Sequence, residues 1–430
     1  MVRRMVLTGG LRALAALCLS GALAGGAAAQ APAPSAAKAS GGGAAVAIGG
    51  GLKPANRPVW DRLVALAGGA GLARFVVLGT ASENPLGSAR EAAALLEKHG
   101  ARAVVLPVSP LLPERPVAQA VSDPTLLAEV EAAGGVFFTG GAQDRIVDSL
   151  APGGRPTPLL EAIWRVKRRG GVVAGTSAGA AIMSEQMFRD APNVLAVLRG
   201  QMREGREIGR GLGFAGPGLF VDQHFLKRGR FGRMIPVMQA LGIPLGLGVE
   251  EDSAALLRGD EIEIIAGKAV VVDLAPARAE RRGGALSLTG AHMSLLETGD
   301  RYLRAGRELL PSADKRAAQR LEPGAPGYKP YYSEAPFYAD MLSEGALATA
   351  MTLLIDGSFD AVDGLIFDPR PAPADPQGAL GFAVRLYKGP GSIGWYSETS
   401  GGEDYTVHRL RLDLRPMRVA QPLMTPWTAP

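Results

Sequence analysis

Short, almost unbroken apolar runs alternate with longer amphipathic stretches through the first half of the chain. The runs are Ala45-Val46-Ala47-Ile48, Phe75-Val76-Val77-Leu78, Ala103-Val104-Val105-Leu106, Val136-Phe137-Phe138 and Val172-Val173. Between them, segments such as Ala89 to His99 and Pro124 to Ala133 carry a helical spacing of apolar residues. Strands that are apolar on both faces and separated by helices predict βαβ units and a mostly parallel sheet flanked by helices, an α/β class. In such sheets the functional loops lie beyond the carboxyl ends of the strands. Here those ends are Gly49-Gly50-Gly51, Gly79-Thr80-Ala81-Ser82, Thr139-Gly140-Gly141 and the turn after Val172-Val173.

After about residue 260 the rhythm changes. Glu261 to Ile265 and Ala269 to Val272, separated by Ala266-Gly267-Lys268, predict a β-hairpin. From residue 301 the pattern is mixed: a helical stretch from Phe337 to Leu354, a Pro-rich run at Pro369 to Pro376, and alternating segments at Phe382 to Leu386 and Tyr405 to Leu414. These predict a mixed α+β C-terminal extension of 301–430 that is accessory to a core spanning 44–300.

At 430 residues with 47% hydrophobic and 20% charged positions, the chain has the composition of a globular protein. Residues 1–29 have the form of a secretory signal peptide. Arg3 and Arg4 precede an apolar stretch from Leu11 to Leu23 and small residues ending at Ala27-Ala28-Ala29. The paired arginines partly match a twin-arginine signal, so the expected destination is the periplasm or the exterior. Residues 30–43, rich in Ala, Pro, Ser and Gly, read as a flexible linker. Of the formal charge of +5, three charges come from Arg3, Arg4 and Arg12 in the leader, leaving +2. So small a charge points to neither nucleic acid nor a membrane surface as partner. The only cysteine, Cys18, is in the leader, so the processed chain has no disulfide, thiolate nucleophile or cysteine metal site.

The turn Gly175-Thr176-Ser177-Ala178-Gly179 follows an apolar strand and leads into Ala180-Ala181-Ile182-Met183. A serine on a sharp strand-to-helix turn is the arrangement of a nucleophile elbow, and a helix start behind it offers N–H groups to an oxyanion. A serine nucleophile needs a base, and the chain has four histidines. His99 reads as a helix C-terminal residue, and His292 and His408 as solvated positions without a surrounding cluster. His224 sits in the polar strand end Asp222-Gln223-His224-Phe225, followed by Lys227, Arg228, Arg230 and Arg233. Acids able to orient it follow the apolar Leu245 to Val249 run, at Glu250-Glu251-Asp252. The arginines suit a substrate that carries a carboxylate. The Gly140-Gly141-Ala142-Gln143 turn offers N–H groups that, with the N–H of Ala178, complete an oxyanion hole.

Four motifs together resemble the cyanophycinase family of serine peptidases, peptidase family S51, which also includes aspartyl dipeptidases. They are Phe138-Thr139-Gly140-Gly141-Ala142-Gln143, Gly175 to Ala180, Asp222 to Phe225 with its arginines, and Gly246 to Asp252. The resemblance implies a flavodoxin-like sandwich of the class I glutamine amidotransferase kind. It implies Ser177 as nucleophile, His224 as general base and Glu251 as orienting acid, with Gly141 and Ala178 as the oxyanion hole. Gln143, Asp222, Gln223, Arg228, Arg230 and Arg233 would line the substrate pocket. The implied reaction is hydrolysis of cyanophycin, a poly-aspartate backbone bearing arginine, or of related β-aspartyl peptides, and it calls for no cofactor and no metal. Ala142 stands where members active on cyanophycin carry an acid. Residues 301–430 fall outside the resemblance, with substrate access, surface docking or homodimer formation as the roles open to them.

Two other readings are compatible with the residues. An α/β-hydrolase esterase would order its triad Ser, acid, His, through Ser177, Asp356 or Asp360, and His408. A binding protein of the same fold with altered catalysis would draw on Ala142.

Overall fold

The computed structural model describes residues 42–190, 193–282, 284–398, 404–420, 422–423 and 426–427, with the side chain of Arg282 excepted. The expected signal peptide, and all of the expected linker except residues 42 and 43, lie outside the described residues.

Five parallel strands form the heart of the first sheet: β1 (Ala44–Ile48), β2 (Arg74–Leu78), β3 (Arg102–Leu106), β4 (Gly135–Phe138) and β5 (Val172–Thr176). They run in the order β3-β2-β4-β5-β1. All five apolar runs read from the pattern are strands of this sheet. Residues alternate across it: Val46, Ile48 and Val77 pack on the helices Arg57–Leu66 and Pro85–Lys98, while Ala45, Ala47 and Val76 face Val130 and Ile163 of the helices Pro124–Ala132 and Pro158–Arg168. Burial on both faces is why β1, β4 and β5 and the apolar part of β2 are continuously apolar, whereas β3, at the edge of the sheet, leaves Val104 exposed. The last two helices begin with proline after capping residues, Asp123 and Thr157, whose side chains accept first-turn N–H groups.

A two-stranded ribbon, β6 (Gln186–Phe188) with β7 (Ile208–Arg210), leaves the elbow side of this sheet. The chain then builds a second sheet from the parallel pair β8 (Leu219–Gln223) and β9 (Leu245–Val249), and returns to the first through β10 (Ala254–Arg258) and β11 (Glu261–Ala266). β10 pairs antiparallel with β1 within the first sheet, so the chain crosses from the second sheet to the first in the short connection between β9 and β10.

The hairpin expected around Gly267 is not formed. β11 pairs with β10 in the first sheet, whereas β12 (Lys268–Asp273) pairs with β9 in the second. The chain changes sheets at Gly267, which has φ +76° and an N–H bonded to Thr298 Oγ1 at 2.9 Å. A Cβ there would lie 2.0 Å from Ser253 Oγ, so the corner is open only to glycine. Strand-like sequence on either side of a glycine is shared by hairpins and by such corners, and local pattern does not separate them.

The second sheet continues through β13 (Arg278–Arg282) and the long β14 (Ala285–Glu297), while β15 (Arg301–Leu303) and β16 (Glu308–Leu310) complete the edge of the first. The remaining strands are β17 (Gln319–Leu321), β18 (Phe337–Tyr338), β19 (Ala361–Ile366), β20 (Leu380–Tyr387), β21 (Ile393–Ser397) and β22 (Asp404–Arg418). β22 pairs with β14 on one side and β20 on the other, so strands from both sides of residue 300 share one sheet. The alternating segments near 382–386 and 405–414 are this β20–β22 pair. The helix expected from Phe337 is shorter, Ala346–Ile355, and it packs on β19, β20 and β22 with Leu347, Met351 and Leu354 buried in the same core as that sheet. The C-terminal segment therefore covers the back of the second sheet.

Candidate active site

The carboxyl ends of β1, β4, β5, β8 and β9 converge at the seam between the sheets. Ser177 follows β5 with φ +53° and ψ −109°, a conformation that side chains avoid unless the surroundings impose it. Its N–H is held by Ile48 O at 2.9 Å, and the Gly140-Gly141 turn lies against its side chain. Ala178 opens the short helix Ala178–Ala181 directly behind it.

His224, also at positive φ (+49°), follows β8 with its N–H on Gly49 O at 2.8 Å. Its Nε2 lies 2.8 Å from Ser177 Oγ, and its Nδ1 lies 2.6 Å from Glu251 Oε1. An ionised carboxylate only accepts hydrogen bonds, so Nδ1 carries the proton and Nε2 of the neutral ring is left to accept from the serine hydroxyl.

The three consecutive acids separate by task. Glu250 Oε2 accepts the N–H groups of Leu226 and Lys227 and so holds the loop after His224. Asp252 accepts from Lys53 N and Asn56 Nδ2, and fixes the loop after β1. Only Glu251 among them reaches the imidazole.

Burial holds His224 below the usual imidazole value, and the Arg228 and Arg230 charges add to this while the Glu251 hydrogen bond opposes it. Burial pushes the Glu251 carboxyl up, but hydrogen bonds from His224 and Lys227 outweigh it and leave the group below its ordinary range. The relay thus rests as neutral imidazole beside ionised carboxylate.

Ser177 and Gly141 open onto a cleft of about 380 Å³ that is also lined by Gln143, Gln223, Arg228, Arg230 and Arg233. These residues were all expected at the site, but the arginines are not equivalent. Asp222, 1% exposed, lies behind the cleft rather than lining it. Arg233 grips it through two bonds, Nε to Oδ2 at 2.7 Å and Nη2 to Oδ1 at 2.5 Å, and its guanidinium stacks 4.2 Å from the Phe188 ring. Arg230 donates to Gln223 O at 2.7 Å and to the Gln223 amide oxygen, and burial brings its pKa down to about 10. Burial pushes the Asp222 carboxyl up and Arg233 and Arg230 more than offset it, so it stays ionised. Arg228 is different. It is exposed and makes no side-chain hydrogen bond or ion pair among the described residues, so its guanidinium is available to a carboxylate. Gln143 Nε2 donates to Phe188 O at 2.9 Å, anchoring the oxyanion-side turn to β6.

Several contributors were not singled out from the sequence. Asp144, Arg189 and Asp190 line the same cleft, with Arg189 held by Asp148 through bonds of 3.0 and 2.6 Å. Lys227 Nζ bridges Glu251 Oε2 at 3.3 Å and Glu344 Oε1 at 3.5 Å, and Gly345 N donates to Leu226 O at 3.2 Å. The C-terminal segment therefore supports the loop that carries His224. A lone charge 93 positions from Glu251 has no sequence signal of its own.

The other histidines stand apart. His99 Nδ1 pairs with Asp61 at 2.6 Å beside Trp60. His408, read as solvated, is buried on β22 with Nδ1 3.0 Å from Ser294 Oγ, and burial brings it down to about 3. Asp356 bonds to Tyr405 and to Tyr331 N, not to His408. The Ser-acid-His order of an esterase is thus not assembled around His408.

No family model matches the chain. Cyanophycinase from Trichormus variabilis (strain ATCC 29413 / PCC 7937) is 35% identical over 202 residues, 44% of this chain and 63% of that protein. Cyanophycinase from Geminocystis herdmanii (strain PCC 6308) is 35% identical over 188 residues, 41% of this chain and 64% of that protein. The chain thus spans a little under two thirds of the length of these curated relatives. A crystal structure of a peptidase from an acI-B1 Actinobacterium has a TM-score of 0.42 at 18% identity, covering 63% of this chain and 95% of that one. The likeness to the cyanophycinases read from the four motifs is borne out, and over the matched stretch the chain is a cyanophycinase homologue.

Proposed function

We propose that the protein is a serine peptidase that hydrolyses cyanophycin or related β-aspartyl peptides to β-aspartyl-arginine dipeptides. The hydrogen-bonded relay from Ser177 through His224 to Glu251, at 2.8 and 2.6 Å, carries this reading. His224 Nε2 takes the hydroxyl proton as Ser177 Oγ attacks the scissile carbonyl. Glu251 holds the ring and stabilises the imidazolium that results. The developing oxyanion is received by the N–H groups of Gly141 and Ala178. His224 returns the proton to the leaving amine, and an acyl-enzyme on Ser177 is then hydrolysed by water that His224 activates. Arg228 pairs with a substrate carboxylate, while Arg230 and Arg233 hold the cleft wall through Asp222 and Gln223.

Ala142 removes one acid from the cleft rim, and Asp144 and Asp190 supply negative charge on the same lining. Export to the periplasm or the exterior rests on the basic and apolar character of residues 1–29. Homodimer formation has no further support in the geometry.

The reading is tested by treating the protein with a fluorophosphonate and mapping the adduct. Modification confined to the peptide bearing Ser177, and lost in His224→Ala, is expected. An unmodified Ser177 in protein that still cleaves substrate would overturn it.

A further inference from the structure

The catalytic cleft does not end at its own rim. Arg189 lines it and also lines a neighbouring cavity of about 630 Å³, which shares Trp164, Arg210, Gly211 and Leu212 with a third cavity of about 640 Å³. The β6–β7 ribbon runs along this path. At one end Phe188 carries the Arg233 guanidinium on its ring and receives Gln143 on its carbonyl, so it belongs to the catalytic wall. At the other end Gln186 pairs in register with Arg210, and both border the third cavity, as does Trp164. Residues 186 and 188 are separated by about 7 Å of extended chain, so the ribbon leads directly from the reacting serine to the distal space.

The lining has the chemistry of a recognition surface for mixed charge. Arg210 is exposed and makes no ion pair among the described residues. Glu204 and Glu185 are exposed on the same walls. Trp164 packs on Phe214, with ring centroids 4.7 Å apart, and carries the Lys167 ammonium 5.9 Å from its ring centre, so it forms an aromatic wall of the groove that is already paired with a cation. A lining of one sign would select a polyanion or a polycation. Both signs beside an aromatic ring select a chain that repeats carboxylate and guanidinium.

We infer that the groove floored by the β6–β7 ribbon is an extended subsite that holds residues of a polymeric substrate flanking the scissile unit. This rests on the proposed peptidase reading, from which it takes the polymer as occupant. Arg210 takes substrate carboxylates, and the exposed Glu204 and Glu185 take guanidinium groups. Polymer is thereby preferred over short peptides that fill the catalytic cleft alone.

The test compares Arg210→Glu with Arg102→Glu, an exposed arginine at the start of β3, at the opposite end of the sheet from the cleft. With cyanophycin, KM is expected to rise at least about fivefold in Arg210→Glu only, while kcat/KM on a two-unit β-aspartyl-arginine peptide stays within about twofold. Equal effects on polymer and short peptide, or equal effects of the two variants, would overturn the subsite. Cosedimentation of the Ser177→Ala protein with insoluble cyanophycin separates this inference from the peptidase reading, since it needs no turnover. Loss of binding on adding Arg210→Glu supports the groove even if wild type cleaves nothing. Unchanged binding removes the groove even if wild type is fully active.

Discussion

The imidazole of His224 rests against the bare backbone of Gly50: a Cβ at that position would lie 2.2 Å from Cε1 and 2.5 Å from Nε2. Gly50 has φ +104°, a region that residues with a Cβ rarely adopt. The loop after β1 also takes the His224 N–H on Gly49 O and the Asp252 N–H on Gly50 O, at 2.8 Å each. The base is therefore positioned by two glycines, Gly49 and Gly50, that carry no reactive group. Gly50→Ala is expected to push the ring away from Ser177, lowering kcat by about 10²-fold or more, with strain of about 1–3 kcal/mol. Activity assays paired with thermal denaturation check this; a variant with wild-type kcat would show that the ring does not depend on the contact.

The pH dependence follows from the state of His224. The ring must be neutral to accept the serine proton, and burial holds its pKa below the ordinary 6.5, so the acid limb of kcat/KM falls below pH 6.5. The Arg228 charge contributes to that depression, so Arg228→Ala moves the limb upward, whereas Arg228→Lys keeps it in place. Glu251 opposes the depression, so Glu251→Gln moves the limb downward and lowers kcat by about 10³–10⁴-fold. A pH–rate profile of the three variants reads all three signs.

Buried and exposed charges of the cleft wall separate by experiment. Asp222→Asn leaves Arg233 buried beside a neutral amide and is expected to cost about 3–5 kcal/mol of stability, seen as a clear fall in Tm. Arg228→Ala touches no internal partner. It is expected to change stability by no more than about 0.5 kcal/mol while raising KM for carboxylate-bearing substrate. Chemical denaturation and steady-state kinetics on the two variants resolve the difference.

His408 distinguishes the triad orders. His408→Ala is expected to leave kcat within about twofold of wild type, whereas His224→Ala lowers it by at least about 10³-fold. The reverse pattern in a β-aspartyl peptide assay would favour a triad built on β22.

The parts of the site legible in the sequence are those carried by local pattern. Apolar runs ending in glycines marked the strand ends, and the Gly-Thr-Ser-Ala-Gly turn marked a serine forced out of the sheet. What local pattern could not decide was direction. Glu250, Glu251 and Asp252 are adjacent carboxylates, and only the path of the chain after β9 turns Glu251 toward the ring. Arg228, Arg230 and Arg233 read alike, yet Asp222 and Gln223 engage two of them and leave the third to the cleft. The glycine at 267 reads as a hairpin turn, and close approach of Ser253 makes it a corner between sheets. Support from Glu344 and the Leu226–Gly345 contact depends on long-range docking of the C-terminal segment, to which no periodicity points.

Central to the account is that Ser177 is the nucleophile of a peptidase acting on β-aspartyl polymer. Wild-type protein and Ser177→Ala, each incubated with cyanophycin and followed by mass spectrometry of the soluble products, test it most directly. The expected result is accumulation of β-aspartyl-arginine dipeptide with wild type and at least about 10³-fold slower release with Ser177→Ala. Equal release by both proteins, or no release by wild type, would contradict it.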